Sequence, residues 1–332
     1  MNLDLTDDQV ALRDGIRALL DGRFDSARIR RGFDRAMWDE LAGAGVFSLR
    51  ADGFGWADTV VVFEQLGISC VPGPLVAGSV AHGLVDGIVA GAGRPRDGNA
   101  VMIEHLDRLD TLLVIDEAGV WKIDPSTVDG DEVTWPLDPL TPVWRVGALP
   151  QGEQLAGPDL PAAWQWQGEV LSAAFALGLA QRMTELSVAY AKEREQFDRP
   201  IGSFQAIKHL LADMLVRTEV ARAAVYAAGA HLDDPDLEGA ARVISGATLL
   251  ATEAAITNGK AATQVHGGMG FTWEVDVHLY LKRAWVLDTL GSVDHCADAV
   301  AATLTAESAR NTAHANERRP HVGPRSRRPP RR

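Results

Sequence analysis

Apolar residues recur at helical spacing from the start of the chain. Val10, Leu12, Ile16, Leu19 and Leu20 share a face, with Asp4 or Thr6 placed to cap the helix that carries them. A second helix is predicted over 34–44, ended by Gly45. The same period returns over 56–66 and stops at Gly67. Pro72-Gly-Pro74 breaks the chain before a further apolar stretch over 75–90. From Asn99 to Asp159 the period shortens: Ala100-Val-Met-Ile, Thr111-Leu-Leu-Val-Ile and Val120-Trp-Lys-Ile are β-prone runs separated by turn residues.

The helical period resumes at Gly168. Leu171, Ala174, Phe175, Leu177, Leu179 and Met183 mark one long helix reaching to about Glu195. Pro200 and Gly202 end it, and Ser203 opens the next, whose apolar face is Phe204, Ile207, Leu210, Leu211, Met214 and Leu215. A third helix runs from Glu238 to Gly267-Gly268, a fourth starts near Glu274, and a further one follows Gly291. The pattern predicts a mainly α protein in four parts. These are an N-terminal helical domain over 1–95, a reduced β domain over 96–162, a helical bundle over 163–312, and a disordered basic tail over 313–332.

Composition narrows the class. A chain of 332 residues with 46% hydrophobic and 23% charged residues holds a large globular core. The formal net charge of −13 argues against nucleic acid as the main partner, despite the arginine-rich tail. Cys70 and Cys296 offer neither a disulfide framework nor metal-ligand spacing, so two free thiols are expected. No signal-type segment opens the sequence and no apolar run reaches the length of a membrane span, which predicts a cytoplasmic protein without a membrane anchor.

Two motifs carry the chemistry. The first is Arg194-Glu-Gln-Phe197, followed by Phe204-Gln205; the second is Gln264-Val-His-Gly267-Gly268-Met-Gly-Phe271. Arg194 presents a planar guanidinium suited to a pyrophosphate, although Lys192, Glu193 and Glu195 also suit it to a surface ion pair. Phe197 and Phe204 suit either a flat ligand or a helix junction, and the Gln205 amide either a ligand or local backbone. Gly267 and Gly268, without Cβ atoms, allow close backbone approach or simply cap a helix.

At this separation the two motifs resemble the C-terminal helical domain of the acyl-CoA dehydrogenases, over residues 169–301. Phe63-Glu-Gln-Leu-Gly67 resembles an E-x-L-G turn of the family's N-terminal domain. The resemblance implies FAD as cofactor and an acyl-CoA thioester as substrate, with α,β-dehydrogenation as the reaction. It also implies that Arg194, Phe197, Phe204, Gln205, Gln264, Gly267 and Gly268 contact FAD, Arg194 reaching the pyrophosphate of a flavin held mainly by a neighbouring subunit. His266 is expected to be a packed histidine.

Two departures from the family pattern stand out. The T-E-P-x-x-G-S-D type run that presents Thr and Ser to the flavin ring is missing from the short β segment. The family's catalytic glutamate is also displaced. In one class it sits where this chain reads Asp288-Thr-Leu290-Gly291-Ser292, leaving leucine or glycine in its place. In the other class it opens the long helix, where Gly168 stands with Glu169 beside it, about 100° further round an ideal helix. Glu169 is the candidate base, with helix N-terminus stabilisation as its other reading; Asp288 and Asp294 are fallback carboxylates.

The resemblance extends to the short, unlike subunits of heterotetrameric (α₂β₂) actinobacterial enzymes that act on sterol side chains. It implies a chain that completes the FAD site of a second, similar subunit, with that subunit bringing the base. The alternatives are a homo-oligomeric enzyme using Glu169, and a non-catalytic scaffold or nucleic-acid-associated member.

Overall fold

The computed structural model describes residues 4–95, 99–234, 239–290 and 295–304. Asp294, the start expected for the third bundle helix at Glu238, and the tail over 313–332 lie outside them. The mainly α fold expected from the sequence is the one observed.

Five helices open the chain: α1 (Asp7–Arg23), α2 (Ser26–Arg30), α3 (Arg35–Gly43), α4 (Trp56–Ile68) and α5 (Leu75–Val80). Thr6, not Asp4, caps α1, exchanging hydrogen bonds with Gln9 in a capping box. Gly67 does not stop α4, which runs on to Ile68. Its role is packing: a Cβ there would overlap the Phe175 carbonyl of the long bundle helix.

The middle of the chain forms β1 (Val89–Gly93), β2 (Val101–Glu104), β3 (Thr111–Asp116), β4 (Gly119–Ile123), β5 (Asp131–Glu132), β6 (Val143–Val146) and β7 (Glu153–Ala156). One sheet has the order β1-β3-β4-β7, with β1 parallel to β3 and the other pairs antiparallel. The second sheet, β2-β6-β5, is antiparallel. Strand β1 falls within the stretch expected to be helical. Its sequence, Val-Ala-Gly-Ala-Gly, has a single β-branched residue, Val89, and no aromatic one, and pairing with β3 decides its conformation.

The bundle consists of α6 (Asp159–Glu193), α7 (Gln205–Asp233), α8 (Ala240–His266) and α9 (Val277–Leu290), and residues 295–304 are also helical. Helix α6 starts nine residues before the expected Gly168. Pro161 sits in its first turn, where a missing N–H costs nothing because those N–H groups have no intrahelical acceptor. Helix α7 begins at Gln205, after a 3₁₀ turn over Ile201–Ser203 that takes up the expected start at Ser203.

Helices α6 and α8 run parallel, with α7 antiparallel between their ends. The buried Asn258 amide ties the three together, its Nδ2 lying 3.0 Å from both Met214 O and Thr218 Oγ1 and 3.2 Å from Thr184 Oγ1. The main core spans α1, α3, α4 and the bundle, with Met37, Leu41, Phe63, Leu66, Leu171 and Leu177 fully buried. Each such side chain contributes about 1.5–3 kcal/mol by leaving water. A buried ion pair, Arg283 Nε to Asp138 Oδ2 at 2.5 Å, fastens the β5–β6 loop to α9. Glu64 on α4 is buried against Arg222 and Tyr226 of α7, which makes the E-x-L-G segment a helix junction in this chain.

Candidate functional site

The sequence-selected residues occupy the two ends of α6. At its C-terminal end, Arg194 is the helix cap, its backbone N–H donating to Tyr190 O at 2.8 Å. The chain then makes a tight hairpin from β8 (Glu195–Gln196) and β9 (Arg199–Pro200). Phe197 and Asp198, the two turn residues, both have positive φ (55° and 61°), as a type I′ hairpin requires. For a phenylalanine this is a strained conformation, and it leaves the ring 86% exposed at the tip. Phe204 meets Phe197 edge-on at 6.1 Å and lies under the Arg199 guanidinium at 4.1 Å. The R-x-x-F spacing thus follows from a helix cap plus a two-residue turn.

The end of α8 arrives beside it. His266 is buried and stacks on Tyr190 at 4.3 Å, with Nδ1 2.8 Å from Ala262 O, and burial lowers its pKa. His266 is therefore a packed histidine. Gly267 ends α8 with φ 59° and ψ −136°, a conformation for glycine only, and donates to Gln264 O. A 3₁₀ turn over Gly267–Phe271 follows. A Cβ on Gly267 or Gly268 would meet no atom within 4 Å, so no part of this chain approaches either glycine. Gln205, Gln264, Gly267 and Gly268 are exposed, as are Phe271 (80%) and Trp273 (59%). Arg194 has no ion-pair partner among the described residues, which sets aside its surface salt-bridge reading.

The N-terminal end of α6 is different. It forms one wall of an open cleft of about 860 Å³ that is also bordered by α5, β1, β2, β3 and residues of α8 and α9. Glu169 borders this cleft and is 7% exposed. Gln165, one turn earlier, donates from Nε2 to Glu169 Oε1 at 3.0 Å. The other oxygen, Oε2, is buried and has no nitrogen or oxygen partner among the described residues, the Cys296 thiol being within hydrogen-bonding reach of the carboxylate. Cys296 lies beside Glu169, Ser245 and Thr248; burial and then the Glu169 charge push its thiol up to about 11. Glu169 is the eleventh residue of α6, so the helix N-terminus reading is corrected: the helix starts too early for it. Gly168 and Glu169 both border the cleft, so their offset around the helix excludes neither. Asp288 is half-buried on α9 and is not part of the lining, although Leu287 and Thr289 are.

Sequence reasoning missed Gln165, whose only signal was its i,i+4 spacing from Glu169. It also missed the small residues of β1. Among the described residues the cleft is lined by four carboxylates, of Glu104, Asp116, Glu117 and Glu169, and by no Lys, Arg or His. Arg94 pairs with Asp116 at 2.6 Å.

Comparison with known proteins places this fold. A sequence profile described as acyl-CoA dehydrogenase, C-terminal domain, matches residues 167–291. Acyl-CoA dehydrogenase IpdE2 of Mycobacterium tuberculosis (strain ATCC 25618 / H37Rv) is 33% identical over 298 residues, spanning 82% of this chain and 89% of its own. Acyl-CoA dehydrogenase IpdE2 of Mycolicibacterium smegmatis (strain ATCC 700084 / mc(2)155) is 30% identical over 304 residues, spanning 84% and 93%. The ChsE4-ChsE5 complex from Mycobacterium tuberculosis shares the fold with a TM-score of 0.79 at 23% identity, covering 92% of this chain and 99% of that one. The chain belongs to the acyl-CoA dehydrogenase family. That membership makes it part of an FAD-dependent oxidoreductase.

The residues present fit FAD unevenly. A pyrophosphate needs cations or clustered N–H donors. The cleft supplies carboxylates only, whereas the far end of α6 supplies Arg194, the exposed aromatic rings and the bare glycine backbone. Among the described residues no helix is long and apolar enough to cross a membrane.

Proposed function

We propose that this chain is one subunit of a heteromeric, cytoplasmic acyl-CoA dehydrogenase, and that its Arg194 end completes the FAD site of a partner subunit. One observation carries the reading. Arg194 caps the helix that carries Glu169, 25 residues away. At about 1.5 Å per residue they stand roughly 37 Å apart along the axis, more than one FAD spans. A complete site therefore pairs the cleft of one chain with the arginine end of another. The partner finds an apolar surface ready: α7 leaves Leu215, Val216 and Val220 exposed at 53%, 61% and 49%. The ChsE4-ChsE5 complex, a pair of unlike chains, supports an unlike partner over a second copy.

In this arrangement Arg194 holds the pyrophosphate, Phe197 and Phe204 give flat apolar contact, and Gln205, Gln264 and the Gly267-Gly268 backbone offer donors and close approach. Held by these residues, FAD would supply an acceptor for the hydride lost from the β-carbon of the thioester. The protein's own task is the α-proton, which needs a carboxylate.

The orphaned oxygen of Glu169 favours a second reading, compatible with the first, in which this chain also supplies a base. Gln165 holds one carboxylate oxygen, which leaves Oε2, with the Cys296 thiol beside the carboxylate, as the oxygen that would take the α-proton. In that reading the cleft beside it receives the acyl chain, and a homo-oligomer becomes possible.

The test is the visible spectrum of the chain purified alone and co-purified with a candidate acyl-CoA dehydrogenase-like partner. Yellow protein only in the pair is expected. Yellow protein from the chain alone would favour the homo-oligomer, and colourless protein in both would leave a non-catalytic scaffold.

A further inference from the structure

Gly168 stands in the interior of α6, where glycine is disfavoured because it loses the most backbone freedom and adds no side-chain packing. Another glycine of the same helix shows what a structural requirement looks like. A Cβ on Gly178 would overlap the Glu64 carbonyl, so the crossing of α4 and α6 demands glycine there. A Cβ on Gly168 would have one neighbour within 4 Å, Val76 Cγ1 at 3.9 Å, an ordinary contact. Nothing in the fold requires glycine at this position.

The cleft does have a use for the missing side chain. Gly168 lies on the face of α6 that borders it, with Gln165, Glu169 and Ser172. On the opposing wall β1 contributes Gly91 and Gly93. A Cβ on Gly91 would come no closer than 3.7 Å to Ile115 Cδ1, and one on Gly93 would meet nothing within 4 Å. Both elements are thus bare of side chains at these lining positions, and among the described residues the lining carries no cation to hold an anionic acyl terminus.

We propose that Gly168 sets the width of the cleft next to Glu169, so that it admits a bulky, uncharged acyl group. This rests on the reading that the cleft receives the acyl chain of the thioester. A leucine at 168 would project into the cleft and leave room for a narrow chain only. Steric exclusion in such a pocket discriminates by roughly 10- to 200-fold per methylene-sized change.

The experiment uses the FAD-loaded enzyme assembled with its partner subunit. Gly168→Ala and Gly168→Leu are compared with wild type on butanoyl-CoA and 3-cyclohexylpropanoyl-CoA, and calorimetry follows binding of their non-reactive thioether analogues. The ratio of kcat/KM for the bulky over the short thioester is expected to fall by about 10-fold or more in Gly168→Leu and by less in Gly168→Ala. The analogue affinities are expected to move the same way. The alanine variant meets only an ordinary contact and carries the test if the leucine variant fails to assemble. A wild type that uses both thioesters, with ratios unmoved in the variants, overturns the role of Gly168 alone. A wild type that neither turns over the thioesters nor binds the analogues overturns the functional reading with it.

Discussion

At one end of α6 Glu169 is 7% exposed, held by Gln165 from its own helix and enclosed by strands and helices of its own chain. At the other end Arg194 and Phe197 face solvent, the ring 86% exposed on a strained hairpin turn, with exposed glycine backbone nearby. The first end is lined by carboxylates; the second offers an arginine, exposed aromatic rings and open backbone. A buried carboxylate oxygen left unpaired costs about 1–3 kcal/mol, and a bulky residue at positive φ costs a similar amount. Both costs fall where the family places its chemistry. On the proposed function, the difference between the ends is that between a pocket lined by one chain and a site completed with another.

The comparison depends on α6 being one rigid rod, and the largest effect is expected where that is tested. The crossing with α4 brings Gly67 and Gly178 so close that a Cβ on either would overlap a backbone carbonyl. Gly178→Val should cost about 3 kcal/mol or more, at or beyond the upper end of overpacking penalties. Urea unfolding of the assembled protein measures it, and near-normal stability would mean that the helices do not cross there.

Next come the two ends themselves. Glu169→Gln keeps the size of the side chain and its bond to Gln165 but removes the basic oxygen. Turnover should fall by about 10²-fold or more, the typical contribution of a general base, while flavin content stays unchanged. Unaltered turnover in the assembled enzyme would assign the base to the partner subunit, as the resemblance alone implied. Arg194→Ala should do the reverse. Loss of a charge-assisted contact to pyrophosphate, worth about 1.5–3 kcal/mol, should weaken FAD retention by roughly 10- to 150-fold, with turnover per bound flavin largely kept. Normal flavin content in a well-assembled Arg194→Ala enzyme would return the residue to the solvent face of a charged helix end.

The two ends also differ in how legible they were. The arginine end was legible as a resemblance because its motifs, R-x-x-F and Q-x-H-G-G, sit within short windows, although the cap and the two-residue turn that shape them emerge only in the structure. The cleft was not. Gly168, Glu169 and Gln165 come from one helix, but their meaning depends on β1, whose small residues hide its strand character, and on the early start of α6 across Pro161. Long-range pairing and tertiary packing decide both, and a pattern read along the chain does not contain them. Gly67 illustrates the same limit: it looks like a helix stop, yet it is the contact point of a helix crossing.

The smallest expected effect on stability belongs to Gly268, and it sharpens the comparison most narrowly. Its neighbour Gly267 has a backbone only glycine adopts cheaply, so Gly267→Ala should destabilise the chain whatever binds there, by about 1–3 kcal/mol. Gly268 is not among the glycines with positive φ, is exposed, and would bring a new Cβ within 4 Å of nothing. Within its own chain, then, Gly268→Val has little to disturb, and its thermal stability should stay within about 0.5 kcal/mol of wild type. In the assembled enzyme the valine would stand where another surface must come close, and flavin retention should drop. The pair of measurements separates the explanations for the glycine pair. Stability lost with flavin retained would make Gly268 a helix cap like its neighbour. Stability kept with flavin lost would show a backbone left bare for a ligand completed by a second chain. If neither changes, the turn contacts nothing, and the open end of α6 reduces to Arg194 and its hairpin.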